Sequence, residues 1–228
     1  MVDVKAVSKT IIHGLKWRMF GKSVSINQDW EKVDPKWWIK QHNEWPILNE
    51  NFTEYFSKIK PDIKTVLDVG CGAGVYPIIK KEMFRDLEYV GIDISPACIE
   101  YCKNHSEFSF LVGDFTKMSV DKKYDLIFSH AVIDHVYDIE AFLLNLVKSC
   151  KKFVYVSSYR GYFPNLDEHE KKWREDDHVY YNKISVQQIE KSLQEFGLSK
   201  NQFVLRPQKA SEDIRKNEHL IIEIDKTR

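Results

Sequence analysis

A short apolar run, Thr65–Val69, is followed at once by Gly70-Cys-Gly-Ala-Gly74 and then by a stretch from Val75 to Phe84 with apolar residues at helical spacing. That order reads as strand, tight loop, helix, and a strand whose chain returns through a helix pairs in parallel with the next strand. Glycine tolerates positive φ and close approach of the backbone to a ligand, while the first turn of a helix offers N–H groups without intrahelical partners. Pro77 falls in that first turn, where its missing donor is tolerated. The segment therefore predicts a parallel α/β sheet with a ligand cradle at the carboxyl end of its first strand.

The same alternation continues: strands over Tyr89–Ile94, Phe108–Val112, Tyr124–Ser129 and Phe153–Ser157, with helices over Pro96–Lys103 and Ile139–Cys150 between them. Ser95 before Pro96, and Asp138 before Ile139, are placed as helix N-caps. Ser185-Val-Gln-Gln188 has the form of a capping box, and Gly197 closes the helix it opens. Residues 160–184 form a polar, aromatic connection in which Asn165–His178 reads as a solvated loop or short helix. Two terminal strands, Gln202–Leu205 and His219–Ile224, suggest a closing antiparallel hairpin. Before residue 61 the chain is a helical prefix carrying Trp17, Trp30, Trp37, Trp38 and Trp45.

A length of 228 residues at 43% hydrophobic content supports a single domain over 61–228 behind an N-terminal helical extension or lid over 1–60. Lysine plus arginine and aspartate plus glutamate are 34 each, so the chain has no global field for nucleic acid or an anionic membrane, and the local bias of Lys5, Lys9, Lys16, Arg18 and Lys22 reads as a solvated end. There is no secretory or membrane-spanning segment, so a soluble, cytoplasmic protein is expected. The cysteines at 71, 98, 102 and 150 form no C-x-x-C pair, which favours reduced, buried thiols over a disulfide or a metal centre. No histidine pair has H-x-x-x-H spacing, and no metal is expected.

The glycine loop alone serves several nucleotide-binding folds. Its meaning narrows because Asp93 closes the second strand, where a carboxylate can accept from both ribose hydroxyls, and Asp114 ends the third, where it can accept from an adenine amino group beside the ring of Phe115. Each carboxylate also has a plainer reading as a helix-leading or turn residue. Val66-Leu-Asp-Val-Gly-Cys-Gly-Ala-Gly74, Gly91-Ile-Asp-Ile-Ser95, Gly113-Asp114 and Tyr124-Asp-Leu-Ile-Phe-Ser129 together resemble the successive motifs of class I S-adenosylmethionine-dependent methyltransferases of the small-molecule type, over about residues 60–160. The resemblance implies a Rossmann-like three-layer sandwich on a mostly parallel seven-stranded sheet with the last strand antiparallel. It places the donor's methionine part along Asp68, Gly70, Gly72 and Gly74, its ribose at Asp93 and Ile94, its adenine at Asp114 and Phe115, and its sulfonium near Ser129 and His130, with S-adenosylhomocysteine as product.

Methyl transfer from a sulfonium is an in-line displacement, which needs a positioned lone pair, exclusion of water and, for a hydroxyl acceptor, a base. His130 and His135 are the base candidates, with Asp134 to orient an imidazole. Tyr159, Arg160, His178, Tyr181, Trp37 and Trp38 are candidate acceptor contacts, Arg160 as a clamp for a carboxylate or phosphate, and Trp37, Trp38 and His42 are candidates for a lid folded over the site. Packing against backbone or core is the competing reading for the histidines and tryptophans. The expected activity is methylation of an O or N atom on a small-molecule acceptor. A donor-binding subunit or regulator without catalysis, and an RNA methyltransferase, are the alternatives. The latter lacks a basic stripe and a base-stacking motif after the fourth strand. A nicotinamide dehydrogenase would want a small residue where Tyr76 stands. The oligomeric state is not legible.

Overall fold

A computed structural model describes residues 30, 32, 34–44, 47–118, 122–175, 178–208 and 218–228. The basic residues from Lys5 to Lys22, the rest of the prefix before Trp30, and the His42 side chain lie outside the described residues. The elements are α1 (Pro35–Glu44), α2 (Ile47–Ile59), β1 (Thr65–Val69), β2 (Glu88–Asp93), α3 (Pro96–His105), β3 (Ser109–Val112), β4 (Tyr124–His130), α4 (Ile139–Ser149), β5 (Cys150–Ser158), β6 (Glu170–Arg174), β7 (Val179–Lys183), α5 (Val186–Glu195), β8 (Phe203–Gln208) and β9 (His219–Asp225). The seven-stranded sheet has the order β3-β2-β1-β4-β5-β9-β8. Neighbours through β5 are parallel, and β9 inserts antiparallel between β5 and β8, as the terminal apolar runs suggested.

Side-chain alternation sorts the central strands onto two chemically different faces. Leu67, Val69, Val90, Ile92, Ile127, Val154 and Val156 meet α4 and α5 through Phe142, Leu146, Ile189 and Leu193. Val66, Tyr89, Leu126, Phe128, Phe153 and Tyr155 meet α2 and α3 through Phe52, Phe56 and Ile99. One face is aliphatic and the other largely aromatic. Both are covered, which gives the expected three layers.

The N-cap assignments hold at Ser95, whose Oγ accepts from the Cys98 N–H at 3.2 Å, and at Asp138, which accepts from the Ala141 N–H at 2.9 Å. Gly197, at φ +91°, closes α5. Ser185 caps α5, accepting from the Gln188 N–H at 3.0 Å, but the reciprocal half of the box is not made. The Ser185 N–H donates instead to His169 Nδ1, and Gln188 Oε1 accepts from the His169 N–H.

Two local expectations are corrected. The helix expected over Val75–Phe84 is a π-helical turn, Val75–Ile79, followed by a 3₁₀ turn, Lys81–Phe84. Pro77 removes a donor from the ladder, and the Lys80 N–H reaches back five residues to the Val75 carbonyl as well as to Tyr76. The loop expected within 165–178 contains β6, paired antiparallel with β7. The exposed Glu-Lys-Lys-Trp-Arg sequence of β6 carries no alternation. What holds the hairpin is tertiary: the buried Asn182 donates from Nδ2 to the carbonyls of Ile133 and Val136 and from its backbone to that of Asp134.

Phe52, fully buried on α2, has its ring centroid 4.5 Å from that of Phe128, 5.2 Å from Tyr76 and 4.9 Å from His130. Phe52→Ala removes the centre of this cluster, and urea unfolding should show a loss of about 3–5 kcal/mol. A loss under 1 kcal/mol would mean that α2 is an appendage and not part of the core.

Candidate active site and family

The carboxyl edge of the sheet opens into a cavity of about 500 Å³, of a size that suits a small ligand. One side is the loop after β1. Gly70, Gly72 and Gly74 all take positive φ. At Gly70 a Cβ would also stand 2.1 Å from the Val132 side chain, so glycine is required both by conformation and by the close pass of the next loop. At Gly72 the nearest atoms are those of the Trp38 ring, 3.8 Å from a Cβ, so the loop presents bare backbone to the cavity. The Gly72 N–H donates to Asp93 Oδ2 at 2.8 Å and the Ser95 N–H to Oδ1 at 2.9 Å. Burial pushes the Asp93 carboxyl up, opposed by the N–H groups of Ser95, Gly72 and Ile94. Asp93 thus fixes the loop while its outer face, with Ile94, lines the cavity.

Asp114 also lines it, but its carboxylate closes a turn: Oδ1 accepts from the Thr116 N–H and hydroxyl at 3.0 and 2.6 Å, and Oδ2 accepts from the Tyr137 hydroxyl at 3.2 Å. Phe115 lies edge-on to Phe142 and completes that wall. Ser129 is not brought to the cavity. It is fully buried, and its hydroxyl donates to the Val69 carbonyl at 2.8 Å, tying β4 to β1 beneath the floor.

The other end of the cavity comes from the segment after β4, the end of β5 and the prefix. His130 lines it, with Nε2 2.9 Å from the Tyr76 hydroxyl and Nδ1 2.7 Å from Ser157 Oγ. Both ring nitrogens therefore meet hydroxyls. His135 Nδ1 lies 2.7 Å from the Tyr180 carbonyl, which only accepts, so the proton is on Nδ1. Nε2 is then the acceptor for the Tyr159 hydroxyl at 2.8 Å. Burial holds the imidazole down to about 4, so it is neutral at physiological pH. Asp134 does not touch His135 through its carboxylate. Fully buried, it accepts from the Ser158 hydroxyl at 2.6 Å and from the N–H groups of Tyr159 and Arg160 at 3.3 and 3.1 Å.

Tyr159, Trp37 and Trp38 line the cavity, and Trp30 stacks on Trp38 at 5.4 Å and tilts against His135 at 4.8 Å. Tyr181 lies behind His135, its centroid 5.5 Å away, under the Arg160 guanidinium. His178 sits at the hairpin turn against Trp173 and is not among the lining residues. Sequence reasoning missed Trp30, Tyr76 and Tyr137 as lining residues. Trp30 was visible only as one more tryptophan in the prefix, and no local spacing marks the tyrosines. The four cysteines are free and buried. Among the described residues, no helix is long and apolar enough to cross a membrane.

Residues 61–210, well over half of the chain, match the methyltransferase-domain family. The chain is a class I S-adenosylmethionine-dependent methyltransferase domain. It is 29% identical over 144 residues to the ubiquinone biosynthesis O-methyltransferase of Rickettsia bellii, covering 56% of this chain and 59% of that protein. It is 34% identical over 89 residues to a malonyl-[acyl-carrier protein] O-methyltransferase of Acetivibrio thermocellus, covering 38% of this chain and 31% of that protein. The methyltransferase chain thus spans little more than half the length of the first of these relatives. In fold it is similar to the magnesium protoporphyrin IX methyltransferase of Synechocystis PCC 6803, solved with S-adenosylmethionine bound, at a TM-score of 0.56 and 16% identity over 99% of this chain and 98% of that one.

Asp68, beneath the glycine loop of this methyltransferase, accepts from the Tyr89 hydroxyl at 2.5 Å. Burial lifts its carboxyl from 3.8 to about 8, against that hydrogen bond and with a smaller push from Asp93. The folded domain therefore holds a proton there at neutral pH that the unfolded chain has lost. The stability this proton contributes is full below about 3.8 and is lost progressively as pH rises to about 8. Asp68→Asn has no such proton to lose. Its melting temperature relative to the natural domain should climb from pH 4 to pH 8 and level off above. A pH-independent difference would refute the protonated carboxyl.

Proposed function

We propose that this domain transfers the methyl group of S-adenosylmethionine to an oxygen or nitrogen of a small-molecule acceptor. The observation that carries this reading is one continuous cavity with the glycine loop, Asp93 and Phe115 on one side and His130, His135 and Tyr159 on the other. The bare backbone of Gly72 and the carboxylate of Asp93 suit the donor's amino-acid and ribose parts, while Ile94, Asp114 and Phe115 suit its adenine. The relatives named for O-methylation and the partly aromatic lining favour a small acceptor over RNA. When bound, the donor supplies an electrophilic methyl group on a sulfonium.

The chain's own part in the reaction is positioning and proton handling. Tyr159 is the group best placed to meet an acceptor hydroxyl, because its own proton already points to His135 Nε2. With S-adenosylmethionine bound to supply the methyl group, the proton that a hydroxyl acceptor gives up on methylation would pass to Tyr159 Oη and the Tyr159 proton to His135 Nε2. The imidazolium so formed keeps its Nδ1–H on the Tyr180 carbonyl and later releases the proton to water. His130, with both nitrogens on hydroxyls, is assigned to the wall, and Asp134 positions Tyr159 through the backbone. Trp37 and Trp38 exclude water over the glycine loop.

Calorimetry should show binding of S-adenosylmethionine and S-adenosylhomocysteine and none of NAD. Binding of NAD alone would sink the reading. Labelled methyl transfer to pools of phenols, amines and RNA then identifies the acceptor class, and transfer confined to RNA would replace the small-molecule assignment. Tyr159→Phe should lower kcat toward a hydroxyl acceptor by about 10²–10⁴ while S-adenosylhomocysteine affinity is retained. An unchanged kcat would remove Tyr159 from proton handling.

A further inference from the structure

An aromatic surface runs along the cavity from the glycine loop to the proton relay. Trp38 lies over the loop, its ring 3.8 Å from where a Gly72 Cβ would stand. Trp30 stacks on Trp38 at 5.4 Å and reaches His135, whose centroid is 4.8 Å away. The Tyr159 ring stands 5.7 Å from that of His135, and Tyr76 stacks on His130 at 5.1 Å. All of these residues line the cavity. A flat ring can stack on or meet such faces edge-on, with a quadrupole contact that an aliphatic group of the same size lacks. The whole cavity, donor end included, is about 500 Å³, in the lower part of the range of about 300–1,000 Å³ for ligand sites. What remains beside the donor suits a small ring system.

The polar groups set among these rings are arranged to take a proton. Tyr159 donates to His135 Nε2 at 2.8 Å, and the Tyr180 carbonyl, 2.7 Å from Nδ1, holds the imidazole's own proton there. A carboxylate or a free amine has its lone pair ready without such a relay, whereas a hydroxyl does not. Burial holds the imidazole down to about 4, so the relay ends in a weak base. An aliphatic alcohol parts with its proton about as reluctantly as water, at about 15.7. A phenol does so at about 10, as tyrosine does. The proton affinity of a phenol oxygen thus matches that of the Tyr159 oxygen that receives its proton, and the first transfer of the relay is close to balanced. Among the described lining residues the carboxylates are Asp68, Asp93 and Asp114, and there is no lysine or arginine to orient a carboxylate acceptor.

We propose that the methyl acceptor is a phenol, a planar aromatic hydroxyl compound seated against Trp30 and Trp38 with its hydroxyl donating to Tyr159 Oη. The inference rests on the reading of the cavity as a methyltransferase site and narrows it to one substrate class. With S-adenosylmethionine bound, the phenol exchanges its proton for a methyl group. That proton passes to Tyr159 Oη as the Tyr159 proton passes to His135 Nε2, the carbon–sulfur electron pair stays on sulfur, and the donor's positive charge reappears on the imidazolium. The products are a methyl aryl ether and S-adenosylhomocysteine.

The test uses the whole chain and probes of one size. In calorimetry on protein saturated with S-adenosylhomocysteine, 2-naphthol should bind at least tenfold more tightly than its saturated counterpart, decahydro-2-naphthol. With labelled S-adenosylmethionine, 2-naphthol should be methylated at least tenfold faster than 2-naphthalenemethanol and 2-naphthoate, which present an alcohol and a carboxylate on the same rings. Trp30→Leu should weaken 2-naphthol binding fivefold or more with S-adenosylhomocysteine affinity held. A smaller preference in either comparison, or no reaction of 2-naphthol, in protein that takes up S-adenosylhomocysteine overturns the phenol assignment. Failure to bind S-adenosylhomocysteine strikes the methyltransferase site itself. Because the probes are compared on the natural chain, the outcome does not depend on the variant folding.

Discussion

The buried carboxylate of Asp134 gathers the Ser158 hydroxyl and the N–H groups of Tyr159 and Arg160, while its own backbone carbonyl accepts from Asn182 on the hairpin. Three segments that share no secondary structure, the loop after β4, the end of β5 and the β6–β7 hairpin, meet at this residue. Burial raises its carboxyl to about 6, and only the three donors and the neighbouring Arg160 keep it ionised at neutral pH. The end of the cavity proposed for the acceptor inherits its geometry from that point. His135 comes from the first segment, Tyr159 from the second, and the Tyr180 carbonyl that fixes the imidazole tautomer from the third. A residue expected to act on a neighbouring imidazole acts instead on the backbone that carries Tyr159.

The donor half is supported differently. The N–H groups of Gly70 and Cys71 both donate to the Ile92 carbonyl, at 2.7 and 3.1 Å, so the glycine loop continues the β1–β2 pairing past the last paired residues. Asp93 then takes the Gly72 N–H. Backbone ladders depend little on side-chain identity, whereas the acceptor half is a network of particular side chains that lose their partners one by one if changed. Replacing residues around Asp134 would therefore reshape one end of the cavity and leave the glycine-loop end standing.

What could be read in advance follows the range of the interaction. Ser95 and Asp138 cap their helices through bonds three residues away, and the glycines announce the loop by composition alone, so both were legible. Asp93 was legible because the end of a strand is marked by its own apolar run. Ser129 was misplaced because alternation says which side of a strand a residue occupies but not that its hydroxyl meets the Val69 carbonyl, 60 positions earlier. The hairpin was invisible because its stabilising contacts run from Asn182 to residues 133–136, and its own strand β6 is too polar to show a period. Ser185 looked like half of a capping box, and the missing half went to His169, a partner no local pattern indicates.

The distribution of carboxylates along the cavity bears on how the acceptor end treats charge. Asp93 and Asp114 line the donor side, and Asp68 there carries a proton at neutral pH. At the other end the lining is Trp30, His130, Ala131, Val132, His135, Val136 and Tyr159, without a carboxylate among the described residues. A fixed anion beside a sulfonium would stabilise the compact positive charge of the bound donor more than the spread charge of the transition state, and so would raise the barrier. Aromatic faces attract a cation more weakly and over a broader surface, so in the proposed site they would hold the donor with less penalty as its charge disperses. In the proposed reaction, Tyr159 and His135 would add a proton path that is neutral beforehand, because burial holds the imidazole down to about 4. A cavity end lined without a carboxylate among the described residues is therefore what the proposed methyl transfer would favour beside the reacting carbon.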